Sequence, residues 1–491
     1  MNPPQRHLLL DVAAAQQAGD TRAATDMLTE ALRRDPHDLM AATRLAELEI
    51  ERWDHASAMP RLQAVLRQEP NFAPALAALA HALWLAGRPQ EGLEHARRAV
   101  AIQPPNPHFR LTLAQLCAWL GHDAEARAAV AAVLDSPALD GPLHARALSL
   151  LAEAHVARGD FAAANEPFRA SLALAPDSAA THTAYAMNLL RLGEFDAAWP
   201  EYAWHGQVAF FRRGDTRPMP QQLTGRAWNG EALHGRTVLL RDDQGFGDAI
   251  QFFRYLRSIR DAGAARIILC TFAPLASLFQ RSAPFVEVVT ERPVLRPSDF
   301  HGGTSDLPAV FRTRLETIPA TVPYLTAPPL PRRLRLPRGG APRVGLVWSG
   351  DPRHMRDHHR SIPADMFLDI ADVPGLSFYS LQRDVRPADA LALATHPAVP
   401  RIGETLRDFA ETAAVVARLD LVVTVDSAVA HLAGALGRPV WLLLPMVADW
   451  RWLTEREDSS WYPTVRLFRA GGEGWAPVVR RVADKLRAFV L

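Results

Sequence analysis

The chain has 491 residues, 48% of them apolar and 22% charged, and a formal net charge of +1. Its length suggests about three domains, and the near-neutral balance excludes the global field that would draw nucleic acid or a membrane surface. Its two cysteines, Cys117 and Cys270, lie far apart without zinc spacing, no apolar run is long enough for a spanning helix, and "MNPPQRHLLLDVAAAQQAGD" is not patterned as a signal peptide; the expectation is a soluble cytoplasmic protein without a disulfide framework.

The first two hundred residues repeat. Pro36, Pro70 and Pro104 are 34 apart, and so are Pro142 and Pro176 beyond an insert at "SPALDG". Gly19, Trp53, Gly87 and Gly121 keep the same step, as do Gly159 and Gly193 after a gap of 38. Stretches such as "APALAALAHALWLAG" between them have helical spacing. Glycine after a first helix permits a turn with positive φ, and proline after the second stops it. Trp53 at a glycine position predicts a distorted turn. This helix–turn–helix period resembles the tetratricopeptide family, in about five repeats and a final helix pair over residues 1–206. The resemblance implies an all-α superhelix whose groove holds a peptide or protein; a dimerisation or spacer array is the alternative.

After a linker over 207–235, short apolar runs alternate with helical patterns. "TVLLRDD", "RIILCTF" and "VEVVTE" read as strands, with one helix over 247–262 between the first two. "RVGLVWSG", "LSFYSLQ", "LDLVVTVD" and "PVWLLLP" form a second set, and the Pro/Arg-rich 327–343 lies between the sets. Buried runs separated by helices predict parallel sheets. Two Rossmann-like lobes, 236–332 and 333–491, would bind ligand in a cleft at the carboxyl ends of their strands.

"LDLVVTVDSAVAHLAGALGRPVWLLLP" (419–445) is the most informative stretch. A strand ends at Asp426, Ser427 is placed to cap a helix over 428–436, and Gly437 stops it. The unpaired N–H groups of residues 428–430 and the helix dipole suit a phosphate, small side chains such as Ala428 leave room, and His431 stands one turn in. From this stretch alone an ordinary strand–helix junction with a buried histidine is the favoured reading, and other segments shift that balance. Residues 332–360 hold eight arginines against two aspartates. Arg353, Arg356 and Arg360 follow a strand's carboxyl end, and arginine matches phosphate geometry. Ser349 and Gln382 complete the candidate donor-binding set.

The order of strand, "DSAVAHLAGALG" and "PVW" resembles the nucleotide-sugar half of heptosyltransferase-type (family 9-like) GT-B glycosyltransferases. With "QGFGDAIQFFRYL" and "DHHRSIP", the chain is similar to bacterial proteins that fuse tetratricopeptide repeats to such a transferase. The resemblance implies an α/β GT-B fold with acceptor lobe first and donor lobe second. It implies metal-independent, inverting transfer from a nucleotide-sugar to a hydroxyl, with flagellin among the protein acceptors. Asp248 would be the base, with Asp242 and Asp243 the next candidates, and Gly245 and Gly247 would keep the cleft mouth open. The helix N-terminus would favour the ionised form of Asp248; capping that helix is its other reading. No cofactor is implied, and neither Asp-x-Asp nor a metal-spaced His/Cys cluster occurs. "HGGTSDLPAVF" (301–311) matches the family loop only loosely, and Trp450 and Trp452 read as sugar-facing or as core. Two rival readings are a non-catalytic repeat adaptor and a lipopolysaccharide or small-glycan glycosyltransferase.

Overall fold

Short polar side chains start many of the N-terminal helices. Asp20, Asp38, Asp54, Asn106 and Asp140 each accept from backbone N–H groups of the following turn, filling donors that a helix start leaves unpaired. The computed structural model describes residues 3–52, 54–136, 140–208, 225–290, 298–334, 336, 340–352, 354 and 357–490. Its helices run α1 (Pro3–Gln17), α2 (Thr21–Arg34), α3 (Leu39–Glu51), α4 (His55–Gln68), α5 (Ala73–Leu85) and α6 (Pro89–Ile102). They continue as α7 (Pro107–Leu120), α8 (Asp123–Leu134), α9 (Gly141–Ala157), α10 (Asn165–Leu174), α11 (Ala179–Leu192) and α12 (Phe195–Tyr202).

The turn glycines Gly19, Gly87, Gly121, Gly159 and Gly193 all have φ between 76° and 83°, the left-handed region where a side chain is strained. The expectation for the Trp53 turn lies outside the described residues. Pro36, Pro70, Pro104 and Pro176 follow helix ends, but Pro142 sits in the first turn of α9. There its missing N–H removes no helical bond, so it starts a helix rather than stopping one. Alanine and leucine fill the layers between helices, among them Ala80, Leu93, Ala96, Leu111 and Ala114.

The chain divides into two compact units, and the division falls inside α11, between Tyr185 and Ala186. The first unit holds the repeats up to Tyr185 and, among the described residues, 205–208. The second holds Ala186–Trp204 and the sheets.

In the second unit, β1 (Arg226–Ala227), β2 (Thr237–Arg241), β3 (Arg266–Cys270), β4 (Val286–Val289) and β5 (Phe300–Gly303) form a parallel sheet of order β1-β5-β2-β3-β4. A second parallel sheet has the order β10-β9-β8-β6-β7, from β6 (Arg343–Val347), β7 (Ser377–Ser380), β8 (Leu421–Val425), β9 (Val440–Leu444) and β10 (Val465–Arg469). β1 comes from the stretch read as linker, and β1, β5 and β10 were not among the expected strands. Their short or arginine-bearing runs carry little apolar pattern.

The helices of this unit are α13 (Phe246–Phe252), α14 (Tyr255–Asp261), α15 (Ala273–Ser282), α16 (Leu307–Val310), α17 (Asp357–Arg360) and α18 (Ala364–Phe367). They end with α19 (Ala390–Thr395), α20 (Phe409–Val416), α21 (Ala428–Ala435) and α22 (Ala476–Val490). The single helix expected over 247–262 is thus two. Buried Arg254 sits at the break, and its Nε donates to the Gln251 carbonyl at 2.9 Å, an acceptor that a continuous helix would give to Tyr255. Two parallel α/β sheets follow the helical repeats, as the sequence pattern predicts. Val344, Leu346, Trp348, Val423, Leu443 and Val482 lie in the core of the second sheet.

Candidate active site

The carboxyl end of β2 delivers Asp242, Asp243 and Gln244, then α13. Asp242 is buried and accepts from Thr271 Oγ1 at 2.5 Å and Thr304 Oγ1 at 2.8 Å. Asp243 accepts from Ser305 N–H at 3.2 Å and Ser305 Oγ at 2.5 Å. These two carboxylates, the sequence's next candidates for a base, tie the ends of β3 and β5 to β2. The same ties hold the start of the 301–311 loop.

Asp248 lies in the first turn of α13. Its Oδ2 accepts from Gly245 N–H at 2.9 Å, and its Oδ1 pairs with the Arg451 guanidinium. Capping and an ion pair therefore coexist on one side chain, which keeps about a quarter of its surface exposed, 24%. Burial pushes its carboxyl above the ordinary value, outweighing Arg451 and the Gly245 bond. Burial thus works against the helix start, which was expected to favour the anion.

Neither Gly245, with φ of −86°, nor Gly247 needs a left-handed backbone. A Cβ on Gly247 would stand 2.8 Å from His431 Cδ2. This glycine lets α13 press against α21; it does not hold a mouth open.

Across from α13, β8 ends at Val425, Asp426 and Ser427 follow, and α21 begins at Ala428. Ser427 has the extended backbone of an N-cap, but its side chain makes no cap bond and shares a 3.0 Å hydrogen bond with Thr424 Oγ1. Ala430 N–H is taken by the Ser427 carbonyl at 3.0 Å, which leaves Ala428 at the helix start. α21 stops at Ala435, with Leu436 as its C-cap and Gly437 at φ 67°.

The His431 ring is held on several sides. Nδ1 shares a 2.9 Å hydrogen bond with the Tyr462 hydroxyl, the ring lies 5.4 Å from Trp452, and Nε2 is 3.9 Å from Asp426 Oδ1. Burial and then Arg451 pull it down to about 3, so it is neutral near pH 7 and the 3.9 Å approach is not an ion pair. With Nδ1 taken by Tyr462, the expected reach of His431 toward a phosphate falls to Nε2. Asp426 accepts from Trp452 Nε1 at 3.0 Å, and burial, then Asp449, push its carboxyl up to about 6.

On the neighbouring strand end, Gln382 Oε1 accepts from Trp348 N–H at 3.3 Å and Ser349 N–H at 3.2 Å, while its Nε2 donates to the Ser349 carbonyl at 3.2 Å. Gln382 thus shapes the turn after β6. Among the described residues Ser349 Oγ is buried without a hydrogen-bond partner, and Arg360 Nε is buried facing Asp357 Oδ1 at 3.5 Å. Arg353 and Arg356 fall outside the described residues. Asp248, Gly247, Asp426 and His431 therefore converge, and Ser349, Gln382 and Arg360 border them on the adjoining strand ends.

Sequence reasoning missed the centre of this cluster. Arg451 donates to Asp449 Oδ1 at 2.8 Å as well as to Asp248, and its guanidinium lies 4.7 Å from the Trp450 ring and 5.1 Å from Phe252. Burial lowers its pKa, but Asp449 and Asp248 more than compensate and hold the cation. Arg451 counteracts burial at Asp449 and keeps that carboxyl low. Leu453, just beyond, has φ of 56°, an uncommon state for a branched side chain and a mark of local constraint. The clue was Arg451 set between two tryptophans, two residues after Asp449, in "ADWRWL". Both tryptophans are buried, Trp450 against Phe195, Trp199 and Trp461. Among the described residues, no group of three His, Cys, Asp or Glu could hold a metal ion.

Comparison with known proteins follows this division. Residues 15–83 and 83–153 match the tetratricopeptide repeat family, and residues 402–443 match glycosyltransferase family 9 (heptosyltransferase). Protein FlbA of Caulobacter vibrioides is 25% identical across 99% of this chain and 90% of its own length. Cellulose synthase 2 operon protein C of Komagataeibacter xylinus is 34% identical over 30% of this chain and 11% of its own. A solved TPR protein of Thermus thermophilus has 20% identity and a TM-score of 0.33, covering 38% of this chain and 98% of its own. No helix among the described residues is long and apolar enough to cross a membrane. The chain thus carries tetratricopeptide repeats in its first part, a stretch of glycosyltransferase family 9 sequence at β8 and α21, and similarity to FlbA over nearly its whole length.

Proposed function

We propose that this protein is a glycosyltransferase that moves a sugar from a nucleotide-activated donor to a hydroxyl of a protein recruited by its repeats. The observation that carries the reading is the packing of α13, which bears Asp248, against α21, with His431 lying between Gly247 and Asp426 at the carboxyl end of β8. Family 9 sequence covers the β8–α21 side. The donor phosphate lies at Ser427 and Ala428, where Arg360, which acts electrostatically on Asp426, adds positive charge. Asp248 takes the proton of the attacking hydroxyl; its elevated pKa makes it a stronger base than an ordinary carboxylate. Transfer is direct, with inversion, and helix dipole and arginine supply the charge that a metal would supply.

In the repeats, His81 and Trp84 of α5 stack at 5.7 Å, and Trp119 of α7 meets Trp84 at 5.7 Å. An aromatic cluster of this kind suits the side chains of a bound peptide. A protein acceptor such as flagellin, met in the cytoplasm, fits this arrangement.

The test is a thermal-shift panel of UDP-, GDP-, ADP- and CMP-sugars, then a structure with the nucleotide that binds. Phosphate more than about 6 Å from the start of α21, beyond direct hydrogen bonding, contradicts the site. Asp248→Asn is expected to reduce turnover by about 100-fold or more with donor affinity unchanged. Wild-type turnover in that variant would leave Asp248 as a cap and an ion-pair partner alone.

A further inference from the structure

The last helix of the repeat pattern, α12, lies in the same compact unit as the sheets. It and the end of α11 contact both loops that frame Asp248. On the β2–α13 side, the hydroxyl of Tyr202 accepts from Gln244 Nε2 at 3.0 Å. Gln244 directly precedes Gly245, whose N–H bonds Asp248 Oδ2. On the other side, Arg191 Nε donates to the Ala448 carbonyl at 3.1 Å, where the Asp449–Trp452 segment begins. Phe195 and Trp199 meet the Trp450 ring edge-on at 6.3 Å and 6.2 Å, and Trp450 carries Arg451 over its face. Trp199 Nε1 also donates to the Thr313 carbonyl at 2.8 Å, fixing the helix itself.

We propose that Tyr202 is a positioning residue of the candidate active site, holding the Gln244–Asp248 turn while Phe195 and Trp199 on the same helix brace Arg451 against Asp248. The assignment rests on the reading of Asp248 as the base. Tyr202 is 2% exposed. A phenylalanine would fill the same space, and a buried hydroxyl costs stability unless it is bonded. Arg451, Asp243 and Asp306 all act electrostatically on this phenol, which places it among the charges of the site. A repeat helix that served only as a spacer would need no polar group there. The physical consequence is a two-armed brace: one arm sets the carboxylate, the other sets the cation that pairs with it, and both start from one helix.

The test uses the full-length protein with Tyr202→Phe, which keeps the ring and its packing, Gln244→Leu, and the double variant. Hydrogen–deuterium exchange is followed over 242–252 and over the strands of the second sheet. Tyr202→Phe and Gln244→Leu are each expected to speed exchange severalfold over 242–252 and to leave the strands unchanged. Each is expected to lower kcat about ten-fold, the loss of roughly one hydrogen bond, at unchanged donor KM. The double variant is expected to be no worse than either single one. Unchanged exchange over 242–252 in Tyr202→Phe, or additive losses in the double variant, overturns the inference. The exchange measurement needs no sugar donor. Coupled exchange effects in a protein that turns over no nucleotide-sugar would therefore uphold the brace and reject the transferase reading. Full activity and normal exchange in Tyr202→Phe beside an inactive Asp248→Asn would do the reverse.

Discussion

At the scale of single residues, the site combines carboxylates in unlike states. Asp449 is kept low by Arg451, while Asp426, bonded to a neutral indole N–H, is pushed up to about 6. An unfolded aspartate titrates near 3.9. A raised carboxyl binds its proton more tightly in the folded chain, so its contribution to stability is full below about pH 4 and is lost as pH rises through about 6. Asp426→Asn keeps an acceptor for Trp452 and carries no charge. The variant is expected to melt higher than wild type above about pH 6, and the gap is expected to close between about pH 6 and pH 4. Melting curves from about pH 4 to pH 8 measure this. A gap that does not vary with pH would mean that the ionised Asp426 carries no burial cost.

At the scale of elements, the approach of α13 to α21 depends on one missing methyl. Helix propensity alone makes Gly247→Ala stabilising by up to about 1 kcal/mol. Its Cβ would meet His431 Cδ2 at 2.8 Å, and overpacking costs about 1–3 kcal/mol. The expected net result is a lower melting temperature together with reduced turnover, since the helix that carries Asp248 must shift. In a His431→Ala background the same substitution is expected to be neutral or stabilising, because the ring it strikes is gone. Stabilisation of the otherwise wild-type chain by Gly247→Ala would show that α13 can retreat without loss. The break between α13 and α14 belongs to this scale too: no glycine or proline marks it, and the buried guanidinium of Arg254 occupies it, held by the Trp461 carbonyl at 2.7 Å and the Tyr324 hydroxyl at 3.1 Å.

At the scale of the whole molecule, the compact units do not part where the repeat period ends. Ala186–Trp204 goes with the sheets, and Phe195, Trp199 and Tyr202 are buried there. Removing residues 1–140 leaves α9 and α10 ahead of that segment. Donor binding and donor hydrolysis are expected to survive this truncation, while modification of a protein acceptor is strongly reduced, because remote binding energy acts only on a substrate that reaches it. Removing residues 1–204 is expected to lower the melting temperature of what remains, since Trp450 loses Phe195 and Trp199 as neighbours. Equal loss of hydrolysis and protein modification in the shorter truncation would assign the repeats to holding the enzyme together.

The sequence by itself determined the helical repeat, its glycine turns, and seven of the ten described strands, because each rests on local periodicity or on one residue's backbone freedom. It also located Asp248 and Asp426, since each directly follows or opens an element that such patterns mark. What α13 presses against, which partner each carboxylate takes and which way each pKa moves were decided by tertiary structure. Arg451 is 203 residues from Asp248 and Tyr202 is 42 from Gln244, and no spacing rule connects side chains that only parallel sheets and a returning helix bring within hydrogen-bond distance. Burial works the same way: it is a property of the surroundings and not of the residue, so an aspartate at a helix start looks stabilised as an anion until the packed protein around it raises its pKa.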